Sequence, residues 1–193
     1  MNPLRALPWL LLALAAAPAL ADFEAGVAAA RAGDYERAWR EWQPLAAGGH
    51  RDAQFNLGLI YENGLGVPAD RAAAARWYRH AAEQGDRMAQ AYLAEMYAQG
   101  LGIARDDHEA MHWYRSAAER GDAAAQYNVG LFYAMGRGVA PSDVQAYAWL
   151  TVAQENGARP TGLLETLQRH MSASSLEQAG RLVDEVRRSC RLD

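Results

Sequence analysis

The chain has 193 residues, of which 51% are hydrophobic, and a formal net charge of −4. This length is enough for one domain with a continuous core. The negative charge argues against a nucleic-acid-binding domain, which presents a basic stripe to its ligand.

The first 21 residues have the pattern of a secretory signal peptide. Arg5 precedes an apolar run that leads to the small residues Ala19 and Ala21, so we expect cleavage between Ala21 and Asp22. The apolar run is shorter than the roughly 20 residues that span a bilayer. No cysteine stands at the predicted cleavage site to carry a lipid. We therefore expect an exported protein with no membrane anchor, located in a bacterial periplasm or secreted further.

The sequence that follows repeats itself without gaps. Three copies begin at Ala53, Ala89 and Ala125 and open with AQFNLGLIYENGLG, AQAYLAEMYAQGLG and AQYNVGLFYAMGRG, so the period is 36 residues. Self-similarity at such a period is typical of solenoid architectures.

Each copy predicts two helices joined by a glycine-rich turn. In the first helix, Ala53, Leu57 and Ile60 recur at helical spacing and predict a buried stripe. Gly64 ends this helix, and Asp70 opens the next one as its N-cap. Asp106 and Ser142 are the corresponding N-caps, and D-D-H-E at 106–109 and S-D-V-Q at 142–145 have the spacing of a capping box.

The second helix is predicted to bury a small and aromatic stripe. Its core residues in the first copy are Ala74, Trp77, Tyr78 and Ala81, and Trp113 marks the same direction in the second copy. Gly58 and Gly130 of the first helices lack a side chain where two helices cross closely, whereas the middle copy has Ala94 there.

These residues identify the chain as similar to a known family. The pattern A-Q-x-x-L-G-x-x-Y-x-x-G-x-G-V, followed by W-Y-x-x-A-A-x-x-G, resembles the Sel-1-like repeat (SLR) family. The resemblance implies an all-α protein, a right-handed α/α solenoid related to tetratricopeptide repeats. It covers three units, 53–88, 89–124 and 125–160. SLR proteins generally act as adaptors in signalling and envelope assembly.

The flanking segments extend the solenoid. Residues 22–52 predict a tetratricopeptide-like helix pair, in which Asp34 aligns with Asp70. Residues 161–193 predict two capping helices, the second opening with S-x-x-E at Ser174 and Glu177. The single cysteine, Cys190, lies on the apolar stripe of that last helix, and we expect it to be buried against the cap rather than to be a free thiol or an intermolecular disulfide.

Residues 108–112, HEAMH, match the zinc-peptidase motif H-E-x-x-H. In the repeat register, however, Glu109 is a capping residue and Ala110 a core position, while His108 and His112 point to solvent. No downstream third ligand follows at a recognisable spacing. We interpret the motif as coincidental and expect no metal and no cofactor.

The outward positions of the first helices are the candidate binding site. In tetratricopeptide-like solenoids these helices line the concave surface, and large apolar residues exposed there would mark a binding groove. The alternative is that some of them contact the next repeat and belong to the core. The predicted partner-binding residues are Phe55, Leu59, Glu62, Asn63, Ala91, Glu95, Tyr127, Leu131 and Met135.

The predicted function is a non-enzymatic adaptor of the bacterial envelope that binds a peptide or a partner domain in this groove. We expect a monomer with protein partners and no nucleic-acid ligand. The alternatives are an envelope hydrolase and a secreted factor that binds a host protein. The hydrolase would be a zinc peptidase acting through HEAMH or a β-lactamase-like or peptidoglycan-active SLR enzyme, but the repeats lack the paired cysteines of that enzyme branch.

Overall fold

The computed structural model describes residues 22–159 and 162–190, and within these ranges all regular structure is helical. The predicted signal peptide, with its cleavage site after Ala21, lies outside the described residues. The helices are α1 Phe23–Arg31, α2 Tyr35–Ala47, α3 Arg51–Asn63, α4 Arg71–Glu83, α5 Arg87–Gln99, α6 Asp107–Glu119, α7 Ala123–Met135, α8 Asp143–Glu155, α9 Leu163–His170 and α10 Ala173–Ser189.

The helices pack in chain order. Each odd-numbered helix from α1 to α7 packs against the next helix, and α2, α4 and α6 also pack against the first helix of the following pair. Helix α10 folds back onto α8 and covers the end of the row. This neighbour-to-neighbour packing is that of a helical solenoid, so the predicted all-α repeat architecture is confirmed.

The turns between paired helices explain the two glycines of each repeat. Gly64 ends α3 in the left-handed conformation with φ 66°, which is inexpensive only for glycine. The second glycine makes room for the preceding repeat: a methyl group at Gly138 would overlap the backbone carbonyl of Asp107 at the start of α6. The G-x-G pattern therefore both ends a helix and lets consecutive repeats approach.

The predicted N-caps are confirmed, but the capping boxes are only half formed. The Asp70 carboxylate accepts from the Ala73 N–H at 2.9 Å, and Asp106 caps α6 in the same way. The Glu109 carboxylate does not return to the Asp106 N–H. It accepts from Trp113 Nε1 at 3.2 Å instead, while the Asp106 N–H donates to the Tyr97 carbonyl at 3.0 Å.

The cap predicted for the last helix is wrong by two residues. Helix α10 begins at Ala173, and Ser172 is its N-cap, with its hydroxyl accepting from the Ser175 N–H at 3.1 Å. Ser174 already lies within the first turn, so the S-x-x-E pattern from Ser174 to Glu177 does not mark the helix start.

In the first two repeats, the core centres on the tyrosine rather than the tryptophan of the W-Y pair. Tyr78 and Tyr114 are buried, whereas Trp77 and Trp113 are only half-buried, so the prediction that these tryptophans are full core residues is wrong. Trp149, the third-copy equivalent, is buried because it packs in one cluster with Val183 and Val186 of α10.

The terminal helices close the two ends of the row. In α10, the predicted stripe is buried at Ala179, Val183 and Val186. Cys190 is half-buried, and its thiol lies 3.3 Å from the Ala118 carbonyl. Burial raises the pKa of this thiol, which keeps it protonated and unreactive at neutral pH. None of the described helices is long and apolar enough to cross a membrane.

Candidate interaction surface

The outward side chains of α3, α5 and α7 form a continuous surface, here called the first-helix face. Three of the nine predicted partner-binding residues are exposed on it, namely Asn63, Glu95 and Met135. The other six are half-buried: Phe55, Leu59, Glu62, Ala91, Tyr127 and Leu131.

Several of the half-buried residues stabilise contacts between repeats. The Phe55 ring lies 5.8 Å from that of Tyr78 and 5.9 Å from that of Tyr92, which belongs to the next first helix. Leu59 packs in the same cluster, and Tyr127 packs against the cluster that includes Leu164 and Leu167 of α9. These residues combine a structural role with partial exposure.

Two exposed apolar residues of this face are absent from the sequence prediction. Met88 is 49% exposed and Tyr92 is 37% exposed, both on α5. Tyr92 lies one residue from the buried Leu93, and its equivalents Asn56 and Asn128 are polar, so a search for recurring apolar positions does not select it. Comparing the three copies for positions where one departs from the others would have found it.

A cavity of about 120 Å³ opens where α5 meets α7, across α6. We call this contact the second junction, and the equivalent contact of α3 with α5 the first junction. The residues lining the cavity include Ala91, Tyr92, Glu95, Tyr114, Ala124 and Asn128.

The cavity arises from small residues at positions that are large in the first junction. Ala91 stands where the first junction has Phe55, and Ala124 stands where it has Met88. Asn128 replaces the ring of Tyr92, which in the first junction stacks on Tyr78 at 5.2 Å. The first junction is therefore filled by aromatic side chains, and the second is left open.

The buried tyrosines at the two junctions, Tyr78 and Tyr114, differ in the partners of their hydroxyl groups. The Tyr78 hydroxyl donates to Glu62 Oε2 at 2.6 Å, and burial together with this carboxylate raises the pKa of Tyr78. At the position of Glu62, the second junction has Ala98. The Tyr114 hydroxyl consequently makes no hydrogen bond with any described residue, although the side chain is only 4% exposed. The hydroxyl oxygen itself is not fully buried and keeps some contact with solvent.

Gly58 explains why the rings of Tyr78 and Tyr114 lie differently. A methyl group at Gly58 would overlap the ring of Tyr78, so that ring depends on the missing side chain. Ala94 occupies the corresponding place in the second junction and excludes the same arrangement. The Tyr114 ring packs edge-on against Phe132 instead, with ring centroids 5.5 Å apart.

An ion pair ties the second junction together at its turn. Arg137 binds Asp107 through two contacts, Nη2 to Oδ1 at 2.5 Å and Nε to Oδ2 at 3.2 Å. The guanidinium also donates to the Ala98 carbonyl at 3.1 Å. The hydrogen bonds from Arg137, together with those from Arg105, hold the pKa of Asp107 well below its usual range. In the first junction, the equivalent residues are Leu101 and Arg71, so no such pair exists there.

Buried glutamines fix the start of each first helix. Gln54, Gln90 and Gln126 each donate through Nε2 to a carbonyl of the preceding second helix, and the acceptors are Ala46 at 3.0 Å, Ala82 at 3.1 Å and Ala118 at 3.0 Å. Because the amides are buried, each hydrogen bond fixes the register of one helix on the next. This role accounts for the glutamine of the A-Q opening.

The chain can now be compared with known proteins. The family model described as Sel1 repeat matches residues 51–86, 87–122 and 123–157. The chain belongs to the Sel1 repeat family. The predicted membership is confirmed, and the matched repeats start with α3, α5 and α7.

Solved structures agree with this assignment. The crystal structure of a Sel1 repeat protein from Oxalobacter formigenes is 34% identical, has a TM-score of 0.67 and matches over 70% of this chain and 56% of its own. A second match is the crystal structure of c5321, a protective antigen present in uropathogenic Escherichia coli strains displaying an SLR fold. It is 24% identical, has a TM-score of 0.55 and matches over 86% of this chain and 45% of its own. At this identity, it supports the fold alone. This chain thus spans about half the length of both. No curated protein matches it.

The HEAMH stretch lies in the second Sel1 repeat, at the start of α6. His108 and His112 are exposed, whereas Ala110 between them is fully buried. The His112 ring lies edge-on to Trp113, with centroids 4.9 Å apart. Over residues 22–159 and 162–190, no three His, Cys, Asp or Glu side chains are grouped so as to hold a metal ion.

Proposed function

We propose that this Sel1 repeat protein is a non-enzymatic scaffold of the bacterial envelope that binds an extended segment of a partner protein on the first-helix face. Sel1 repeats are generally protein-interaction scaffolds and are typically not enzymes. The finer proposal concerns the place of binding, which we assign to α5 and α7.

One observation carries this assignment. Among the described residues, the large apolar side chains with high exposure are Met88, Tyr92 and Met135, and all three belong to α5 or α7. Exposed apolar residues on neighbouring helices favour a protein-binding site, because their burial by a partner removes apolar area from water. Methionine suits such a surface, since its flexible side chain adapts to different partners.

The binding experiment uses a displayed library of random nonapeptides selected on the immobilised protein. The test variant combines Met88→Ser with Met135→Ser, which removes exposed side chains only. We expect the selected peptides to bind this variant about tenfold more weakly, a loss of ~1.4 kcal/mol. The melting temperature should stay close to that of the wild type, because substitutions of exposed residues usually change stability by less than about 0.5 kcal/mol.

The matched control places the same number of serines on the second helices. Arg76 of α4 and His108 of α6 are both exposed, and their replacement by serine should leave peptide affinity unchanged. Equal losses in both variants, or a library that yields no binding peptide, would overturn the proposed function. Leu59 and Tyr127 are unsuitable for this test because each packs against a core cluster.

The proposed location in the envelope rests on the signal-peptide pattern of residues 1–21. If the protein is exported, material recovered from the periplasm of an expressing bacterium should begin at Asp22. An intact N-terminus on protein retained in the cytoplasm would contradict this part of the proposal.

A further inference from the structure

The cavity of the second junction is lined by both apolar and polar groups, whereas the exposed methionines offer apolar surface only. Its walls are apolar where Ala91 and Ala124 line them, and the ring of Tyr92 forms one side. Its volume is about 120 Å³. An apolar cavity of roughly 150 Å³ accommodates benzene, so this space has the size of the outer part of one amino-acid side chain.

The polar groups of the cavity are all able to accept a hydrogen bond. Glu95 carries the only carboxylate in the lining, and it is exposed. The Tyr114 hydroxyl and the Asn128 amide make no hydrogen bond with described residues. Glu95 is bonded to Gln99 on its own helix, but its carboxylate has further acceptor capacity.

A positive charge from another element, that of Arg137 in the turn after α7, acts on Tyr114. The Arg137 guanidinium shares the Asp107 carboxylate with that of Arg105. Glu95 makes no ion pair with a described residue, so the cavity presents a negative group beside two polar groups that have no hydrogen bond with described residues.

We propose that this cavity binds one arginine or lysine side chain of the partner segment. The inference rests on the proposed function, since the side chain belongs to the segment bound on the first-helix face. The aliphatic stem packs against the alanines and Tyr92, and the cationic head donates to Glu95, Tyr114 and Asn128.

The alternatives fit the same lining less well. An acidic side chain would be repelled by Glu95. An apolar side chain would displace water from the Tyr114 hydroxyl and leave it buried with no partner, which is unfavourable. The head of an arginine or lysine side chain carries hydrogen-bond donors and no acceptor, and its stem is apolar. The head therefore suits the polar groups of the lining, and the stem suits the apolar walls.

Small probes test the cavity without any partner protein. The purified protein, labelled with ¹³C at alanine methyl groups, is titrated with n-butylguanidinium, n-butylammonium, n-butanol and n-butyrate. We expect saturable shifts of the Ala91 and Ala124 methyl signals with the two cations, and binding about tenfold weaker or undetectable with the neutral and anionic probes.

Three variants test whether binding of the cations depends on Glu95 and on the open space beside Ala91. Glu95→Gln should weaken binding of the cations about tenfold, whereas Glu83→Gln, a matched change of an exposed carboxylate on α4, should not change it. Ala91→Phe introduces the residue that fills the first junction and should abolish binding. A thermal melt of each variant shows that it is folded.

Equal binding of n-butanol and the cations, or unchanged cation binding in Glu95→Gln, would overturn the inference, as would the absence of saturable shifts. The nonapeptide selection separates this failure from that of the proposed function. Selected peptides without a required basic residue, but still sensitive to the methionine variants, would refute the cavity assignment and leave the scaffold function standing.

Discussion

The first and second junctions have the same backbone arrangement but different contents. In the first, Phe55, Tyr78 and Tyr92 form a packed aromatic cluster, and the Tyr78 hydroxyl is paired with Glu62. In the second, Ala91 and Asn128 stand in place of Phe55 and Tyr92, and a cavity remains over the Tyr114 hydroxyl, which has no hydrogen bond with described residues. The recurring residues of the repeat build the helical frame, and the residues that differ between copies decide which junction is packed and which has a cavity.

The largest expected effect comes from removing the space that the first junction depends on. Gly58→Ala places a methyl group into the ring of Tyr78, and overpacking of this kind typically costs about 1–3 kcal/mol. The higher helix propensity of alanine offsets up to about 1 kcal/mol of that cost. We expect the free energy of unfolding, measured by urea denaturation, to fall by about 1–2 kcal/mol.

The second junction supplies the control for this change. Ala94→Gly restores the glycine there without bringing an aromatic ring over it, so it should destabilise the protein by about 0.5–1 kcal/mol through the flexibility of glycine. If Gly58→Ala stabilises the protein, the ring of Tyr78 moves aside easily. The two junctions would then differ little in how tightly they are packed.

The next effect distinguishes the two tyrosine hydroxyls. Tyr78→Phe removes a hydrogen bond to the Glu62 carboxylate and should cost about 1–2 kcal/mol, because bonds to charged groups contribute more than neutral ones. Tyr114→Phe removes a hydroxyl with no protein partner and should change stability by less than about 0.5 kcal/mol. Equal costs in urea denaturation of the two variants would contradict the different surroundings of these hydroxyls.

The smallest effect concerns the ion pair that only the second junction has. Asp107 has a lowered pKa in the folded protein, so its contribution to stability is present above the unfolded pKa of about 3.9 and is lost as the pH falls below it. Because both partners are partly exposed, Asp107→Asn should cost only about 1 kcal/mol at neutral pH. Thermal melts of both proteins should converge as the pH is lowered below about 4.

Glu83→Gln, an exposed change away from the junction, is the control for this pH series. A difference between wild type and Asp107→Asn that persists undiminished in acid would mean that the variant disturbs packing rather than charge.

Much of the frame could be predicted because its signals are local. The aspartate caps and the glycine ends each depend on a few neighbouring residues, and the structure confirms them at Asp70, Asp106 and Gly64. The 36-residue period repeats these local signals in each copy. Competing local partners account for the errors. Glu109 bonds to Trp113 rather than to its own cap, and Ser172 caps α10 before Ser174 can.

The candidate interaction surface was predictable only in part, because it depends on contacts between repeats. Periodicity selected Phe55 and Leu59 as groove residues, although both also pack against the next repeat. It passed over Tyr92, whose equivalents in the other copies are asparagine. The cavity requires the simultaneous absence of three large side chains from two helices, and no pattern within one helix reports that.

The most direct test of the binding site proposed for this Sel1 repeat protein is a crystal structure with the tightest-binding selected nonapeptide. The account predicts an extended peptide along α5 and α7, in contact with Met88 and Met135, with an arginine or lysine side chain beside Glu95. A peptide bound to the second helices α4 and α6, with the first-helix face left open, would contradict it.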